Sequence, residues 1–252
     1  MNAMTIRKMH LDDVPVVAEM VRDSFDSQFW PFMIYAQHGI AAFLSVPLQY
    51  PGSSPEQHSL VLSREEGVQG FADFRVLNDR AGFLSYICVK PTARGHGVAT
   101  NLIKHFLSHH PHLTELRLDV FRGNAPALAM YKKLGFESRG SAAWVTRALP
   151  APRGSVAITS LATSLAAYSV YGFCEFDVLL NRERVKVGLL GPNIVRCSTI
   201  ESFGNDKLLA SLHQMFPHAD SAFAVVPEAA VADLKVAHQV VNLSDRMTLD
   251  IR

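Results

Sequence analysis

Residues 94–99, Arg-Gly-His-Gly-Val-Ala, separate a strand-like run ending at Val89 from a helical pattern that begins at Val98. At such a junction the first helical N–H groups have no intrahelical partner and point outward with the positive end of the helix dipole. Gly95 and Gly97 let backbone approach an anion with no Cβ in the way. Together these features predict a cradle for a phosphate or pyrophosphate. The spacing is neither that of the Gly-x-Gly-x-x-Gly dinucleotide fingerprint nor that of a loop ending Gly-Lys-Ser/Thr. His96 sits between the glycines, and because backbone does the binding there, a solvent-facing or phosphate-brushing side chain is expected rather than a catalytic one.

Two other groups of residues invite chemistry. His105, His109, His110 and His112 cluster near Pro111. They fall at a helix C-terminus, where cations complement the dipole. Zinc would need convergent geometry that spacing does not show, so no metal is expected. Cys88, Cys174 and Cys197 are scattered, odd in number and contain no Cys-x-x-Cys pair, which argues against both zinc and a disulfide framework.

The elements that must position the loop can be read by periodicity. A short strand at 5–9 leads to a helix with Val16, Val17, Met20, Val21 and Phe25 at helical spacing. An aromatic stretch, 29–39, precedes a further helical segment at 40–44, and a loop is expected over 47–57 from its three prolines and glycine. Strands 59–63 and 68–76 form a hairpin around Arg-Glu-Glu-Gly, and 82–89 is a third strand. After the glycine loop, Val98, Leu102, Ile103, Phe106 and Leu107 share one helical face. A strand at 113–121, a helix at 124–134 stopped by Gly135, and a strand over 136–147 complete the first unit.

The stretch Gly82–Phe136 resembles the GNAT superfamily of N-acetyltransferases. The likeness lies in the strand Tyr-Ile-Cys-Val, in Pro91, in RGHGVA, and in LDVFRGNAPALAMYKKLGF with Asn124, Ala127, Tyr131, Gly135 and Phe136. It extends over roughly residues 4–147, with both blocks in order. The resemblance implies a mixed, mostly antiparallel α/β (α+β) sheet flanked by helices, with acetyl-CoA as co-substrate. Ile87, Cys88 and Val89 would run beside the pantetheine arm where the sheet splays, with a backbone N–H near Val89 facing the thioester oxygen. Arg94, Gly95, His96, Gly97, Val98, Ala99 and Thr100 would surround the pyrophosphate, and Asn124 would contact the cofactor arm. Tyr131 would lie beside the sulfur and protonate the leaving thiolate; its bland reading is half-buried packing. Asp119, five positions before Asn124, is either a base acting through water or a solvent-facing carboxylate. Asp73 is a weaker alternative for binding the substrate amine. The family places acceptor-binding helices at the Phe29–Tyr35 stretch, where Trp30, Phe32 and Tyr35 are either core or substrate wall.

Pro150–Gly154 reads as a linker, giving a catalytic domain over 1–149 and a smaller C-terminal α+β unit over 155–252. In that unit a helix is expected at 155–169, a hairpin at 173–180 and 185–200, a helix at 206–216, and strands at 222–226 and 234–243. LAMYKKLGF (128–136) and LAAYSVYGF (165–173) share L-A-x-Y-x-x-x-G-F. Either this is a chance helix-glycine-strand pattern, or the second unit is a degenerate copy of the first. A dimerisation element and a lid are the other roles open to it.

Composition excludes several classes. The chain has 252 residues, 48% hydrophobic, and a formal net charge of +1, so nothing calls for nucleic acid or an anionic membrane as partner. The N-terminus MNAMTIRKMHLDDV has no apolar stretch after a basic start, and the weakly polar 155–173 run is too interrupted to span a bilayer. A cytoplasmic monomer or homodimer is expected, acting on a small-molecule or peptide amine. The competing reading is a non-catalytic CoA-binding or sensing module whose C-terminal unit mediates interactions.

Overall fold

In the computed structural model, residues 4–77, 80–180 and 183–251 are described; Met1–Ala3, part of the stretch read for a secretion signal, lie outside them. The strands are β1 (Thr5–Lys8), β2 (Gln57–Arg64), β3 (Gly67–Val76), β4 (Ala81–Val89), β5 (Glu115–Phe121), β6 (Glu137–Ala148), β7 (Ala157–Thr159), β8 (Phe173–Leu180), β9 (Glu183–Leu190), β10 (Ile194–Cys197), β11 (Ser221–Pro227) and β12 (Gln239–Asp250). The helices are α1 (Val14–Asp23), α2 (Ile40–Gln49), α3 (Val98–His109), α4 (Ala125–Lys133), α5 (Leu161–Tyr171), α6 (Ile200–Gly204) and α7 (Asp206–Met215). No helix among the described residues is long and apolar enough to cross a membrane.

The chain forms two compact units that do not follow a single cut at the linker. Unit 1 comprises Met1–Asp26, Ala41–Gly140 and Asp245–Arg252; unit 2 comprises Ser27–Ile40 and Ser141–Ser244. Unit 1 has the order β1-β2-β3-β4-β5, then the Asp245–Asp250 end of β12, then the Glu137–Gly140 end of β6. Its first four neighbours pair antiparallel, antiparallel, antiparallel and parallel. Unit 2 has the order β7-β8-β9-β10-β11, then the remainder of β6, then the remainder of β12. Its first four neighbours pair in the same sequence of senses. Unit 2 therefore repeats the strand topology of unit 1.

The nine-residue echo is not the trace of that repeat. Its first copy is α4 leading into β6, and its second is α5 leading into β8. By strand order α5 corresponds to the first helical connection of unit 1, not to α4. What the two stretches share is a local device: Gly135 (φ +96°) and Gly172 (φ +77°) both end a helix in the left-handed region, where glycine is the least strained residue.

Three sequence expectations are corrected. The helix expected at 155–169 is strand β7 followed by α5, since Val156, Ile158 and Thr159 are β-branched and favour extended backbone. The strand expected over 185–200 is β9 and β10 separated by a turn at Gly191 (φ +57°) and Pro192. The loop expected from residue 47 begins later, because α2 carries Pro47 in its last turn and Tyr50 N–H still closes on Val46 O at 2.9 Å.

In unit 1, α3 buries Val98, Leu102, Ile103 and Phe106, four of the five positions read as its apolar face, and Phe106 stacks on Phe74 at 4.0 Å. Gly70 on β3 lies directly under the start of this helix. A Cβ there would lie 2.4 Å from Val98 Cγ1, so the start of α3 is seated by the absence of a side chain. In unit 2 the half-buried Phe32 packs on the buried Phe223 at 5.0 Å, while Trp30 and Tyr35 are also half-buried. Gln37 Nε2 donates to Trp30 O and Met33 O, and Gly39 N–H donates to Tyr171 O.

The histidines at the end of α3 serve the helix terminus. His109 Nδ1 lies 2.8 Å from His105 O, and His110 Nδ1 lies 2.8 Å from Phe106 O, satisfying carbonyls that the helix leaves open. Among the described residues no group of three or more His, Cys, Asp or Glu is placed to hold a metal. His58 on β2 faces His110, ring centroids 4.5 Å apart. Burial, with His110 and Lys8 nearby, holds its pKa below the usual histidine value against a small opposing effect of Glu56. The folded state thus resists protonating a group that the unfolded chain protonates near pH 6.5. The contribution to stability is whole above that pH and is lost as pH falls below it toward the lowered folded pKa. Replacing His58 by Gln should flatten the fall of the urea midpoint between pH 7.5 and 5.5; an unchanged slope would remove His58 from the acid sensitivity.

Candidate active site

The cofactor-binding and catalytic residues that the sequence singles out all lie in unit 1, whereas Trp30, Phe32 and Tyr35 lie in unit 2. The parallel register of β4 with β5 runs from Ala81↔Glu115 to Leu84↔Leu118 and stops, while β4 continues to Val89 and β5 to Phe121. The break falls at a bulge. Tyr86 pairs with Asp73 and Leu84 with Phe74, so Ser85 is an extra residue on β4. A bulge bends its strand and raises local twist, which turns β4 away from β5, so that Ser85–Val89 run on beyond the last parallel pair. The Ser85 hydroxyl at the bend is also buried without a hydrogen-bond partner.

Beyond Val89, the chain makes a single 3-10 turn at Pro91–Ala93, closed by Ala93 N–H to Lys90 O at 2.9 Å. Gly95 and Gly97 both adopt positive φ, +78° and +76°. Gly97 is the N-cap of α3, with no side chain capping the helix, and the first helical bond is Asn101 N–H to Gly97 O at 2.9 Å. The N–H groups of Val98, Ala99 and Thr100 therefore keep no intrahelical acceptor. His96 is exposed, with Nδ1 turned back on Arg94 O at 2.9 Å. Arg94 Nε donates to Val89 O at 3.3 Å, so its side chain lies along the end of β4.

Ile87 is half-buried, and Cys88 is buried on the opposite face of β4. Burial pushes the Cys88 thiol up to about 12, which keeps it protonated and unfit as a covalent acyl carrier. Asn124 caps α4 through its side-chain oxygen, which accepts from Ala127 N–H at 3.2 Å. That cap uses none of the donors of its amide nitrogen. Tyr131 on α4 is only 5% exposed and meets Phe136 edge-on at 5.4 Å. Burial raises its pKa above the usual phenol value, so it carries its proton at any physiological pH.

Two carboxylates differ sharply. Asp119 lies on β5 just past the last parallel pair, and both its oxygens accept from Arg246, at 3.0 and 3.4 Å. That partner is 127 positions away on β12, and no local signal could have named it. Asp73 is 2% exposed beside the bulge. Gln57 Nε2 and Ser59 Oγ donate to its Oδ1 at 2.9 and 2.7 Å, and burial raises its pKa. A second group missed in the sequence lies on the same strand as the bulge. The Tyr86 hydroxyl donates to Val21 O at 2.9 Å and meets Ser24 Oγ, with Phe25 edge-on to its ring at 5.3 Å.

Unit 1 is thus a mixed sheet whose parallel pair opens beside a glycine-lined helix N-terminus that no side chain caps. Residues 20–136 match the model of the acetyltransferase (GNAT) family. The chain is 26% identical over 137 residues, 54% of its own length and 82% of the relative's, to a Bacillus subtilis (strain 168) protein named for ribosomal protein bS18-alanine N-acetyltransferase activity. Two solved structures match nearly the whole fold. A tandem GNAT protein from the clavulanic acid biosynthesis pathway covers 98% of each chain at 11% identity, with a TM-score of 0.67. A Pyrococcus horikoshii protein described as an acetyltransferase covers 99% of this chain and 90% of its own at 14% identity, with a TM-score of 0.66. The repeated topology of the two units thus has a counterpart in a tandem GNAT fold.

Proposed function

We propose that the chain transfers an acetyl group from acetyl-CoA to a primary amine by direct attack, with unit 1 as the catalytic unit. The observation that carries this reading is the joint presence of a strand edge at Ser85–Val89 that runs past the last pair with β5 and an uncapped helix N-terminus at Gly97. The pantetheine arm of coenzyme A is an extended chain with amides that can pair with such an edge. Its pyrophosphate is an anion that a helix N-terminus attracts.

In this reading the amine lone pair attacks the thioester carbonyl carbon, and backbone N–H groups near Val89 stabilise the oxyanion. The C–S bond breaks, sulfur keeps the electron pair, and Tyr131 supplies its proton. The proton lost by the attacking amine leaves through water. Asp119 keeps a lone pair on each oxygen beside its bonds to Arg246 and would receive it through that water relay. The acceptor is a small-molecule amine or a peptide N-terminus; the bS18-alanine activity for which the Bacillus relative is named makes N-terminal alanine peptides the first class to try.

Thiol release from acetyl-CoA should be followed across amines, amino acids, aminoglycosides and N-terminal peptides. At least one class is expected to raise the rate tenfold or more above uncatalysed hydrolysis. Coenzyme A binding with no stimulating amine anywhere in the panel would instead support a cofactor-sensing module.

A further inference from the structure

We infer that unit 2 is a copy whose cofactor cradle has been closed, so that the chain binds one acyl-CoA rather than two. The inference rests on the reading of unit 1 as the acyl-CoA site. The two units can be laid side by side from their parallel pairs. Ala81–Leu84 pair with Glu115–Leu118 in unit 1, and Ile194–Cys197 pair with Ser221–Ala224 in unit 2, four pairs in each. Past the last pair, β5 and β11 each continue for three residues, to Phe121 and Pro227. Their partners differ: β4 runs on for five residues to Val89, while β10 ends with its last pair at Cys197. The strand edge that would pair with a pantetheine arm is thus missing from unit 2.

The anion end is closed as well. Between β4 and α3 lie eight residues, Lys90–Gly97, with two glycines at positive φ. Between β10 and α6 lie two, Ser198 and Thr199, and neither is glycine. Thr199 Oγ1 accepts from Ser202 N–H and Ser202 Oγ from Thr199 N–H, both at 3.2 Å. The next helix, α7, is capped in turn by Asn205, whose side chain accepts from Leu208 N–H at 2.9 Å, and it carries Asp206 in its first turn. At each helix a side chain takes one of the N–H groups that a pyrophosphate would use, and an acidic residue, Glu201 or Asp206, stands in the first turn.

What remains at the end of β10 is a cavity of about 140 Å³, lined in part by Glu175, Lys186, Arg196 and Ser198. Glu175 holds both cations, Arg196 at 3.4 Å and Lys186 at 3.7 Å. The space is smaller than the roughly 300 Å³ at which small-molecule pockets begin, and its cations are already engaged. The rest of unit 2 has taken other work, the seating of residues 27–40. A Cβ on Gly172 would lie 2.8 Å from His38 Nδ1, and one on Gly191 would lie 3.1 Å from Gln37 Oε1.

Native mass spectrometry of the intact chain with two equivalents of coenzyme A counts bound cofactors directly. One adduct is expected on the native chain, and on the Gly97→Val chain its apparent affinity should fall by more than about tenfold. A second adduct on the native chain overturns the inference while leaving unit 1 as an acyl-CoA site, and an adduct of native affinity on Gly97→Val overturns the reading of unit 1. No adduct on the native chain overturns the reading of unit 1 and, with it, the single site.

Discussion

Tyr131→Phe is expected to lower acetyl transfer about 100-fold or more while changing the affinity for coenzyme A less than about twofold. General acid catalysis by a positioned side chain contributes about 10²–10⁴, and 100-fold is about 2.7 kcal/mol of barrier. Phenylalanine keeps the ring against Phe136 and the core residues around it, so the fold and the cofactor site should survive. The buried hydroxyl is a weaker acid than an ordinary phenol. Its help is therefore greatest while charge is building on sulfur, and the loss should appear in kcat. Steady-state kinetics beside a coenzyme A titration separate the two. Unchanged turnover would take Tyr131 out of the mechanism and leave it as packing.

Gly97→Val should act on binding instead, weakening coenzyme A by more than about tenfold. Gly97 holds φ +76° at the N-cap, a region in which a β-branched residue is a genuine outlier. The chain must then abandon the conformation that points the first N–H groups of α3 outward. The helix itself is held by Val98, Leu102, Ile103 and Phe106, so the loss of stability should be limited to about 1–2 kcal/mol, the strain of one left-handed residue. A thermal melt checks this independently of binding. Native affinity in a folded Gly97→Val protein would mean that the loop is only a turn.

Local signals account for what was legible in the sequence. The apolar face of α3, the glycine loop and the αL stop at Gly135 each announce themselves within a few residues, and each is where its pattern placed it. The splay between β4 and β5 was expected only from family likeness, since the bulge at Ser85 leaves no mark on the alternation of Gly82–Val89. Partners distant in sequence were out of reach: Arg246 on Asp119, and Gln57 and Ser59 on Asp73.

The unit boundaries were illegible for a related reason. β6 and β12 each serve both units, one end apiece. A proline-rich segment such as Pro150–Gly154 marks a loop, but cannot show that a strand before it already belongs to the following unit. The repeat itself is written in strand order and pairing sense rather than in residue identity. A nine-residue echo could therefore suggest the duplication while marking elements that do not correspond.

Amide hydrogen exchange of the intact chain, with and without saturating coenzyme A, tests the placement of the cofactor most directly. New protection is predicted at residues 85–89 and 95–100, with none at 194–203. Protection centred on 194–203, or binding that leaves both strand edge and glycine loop unchanged, would contradict the account.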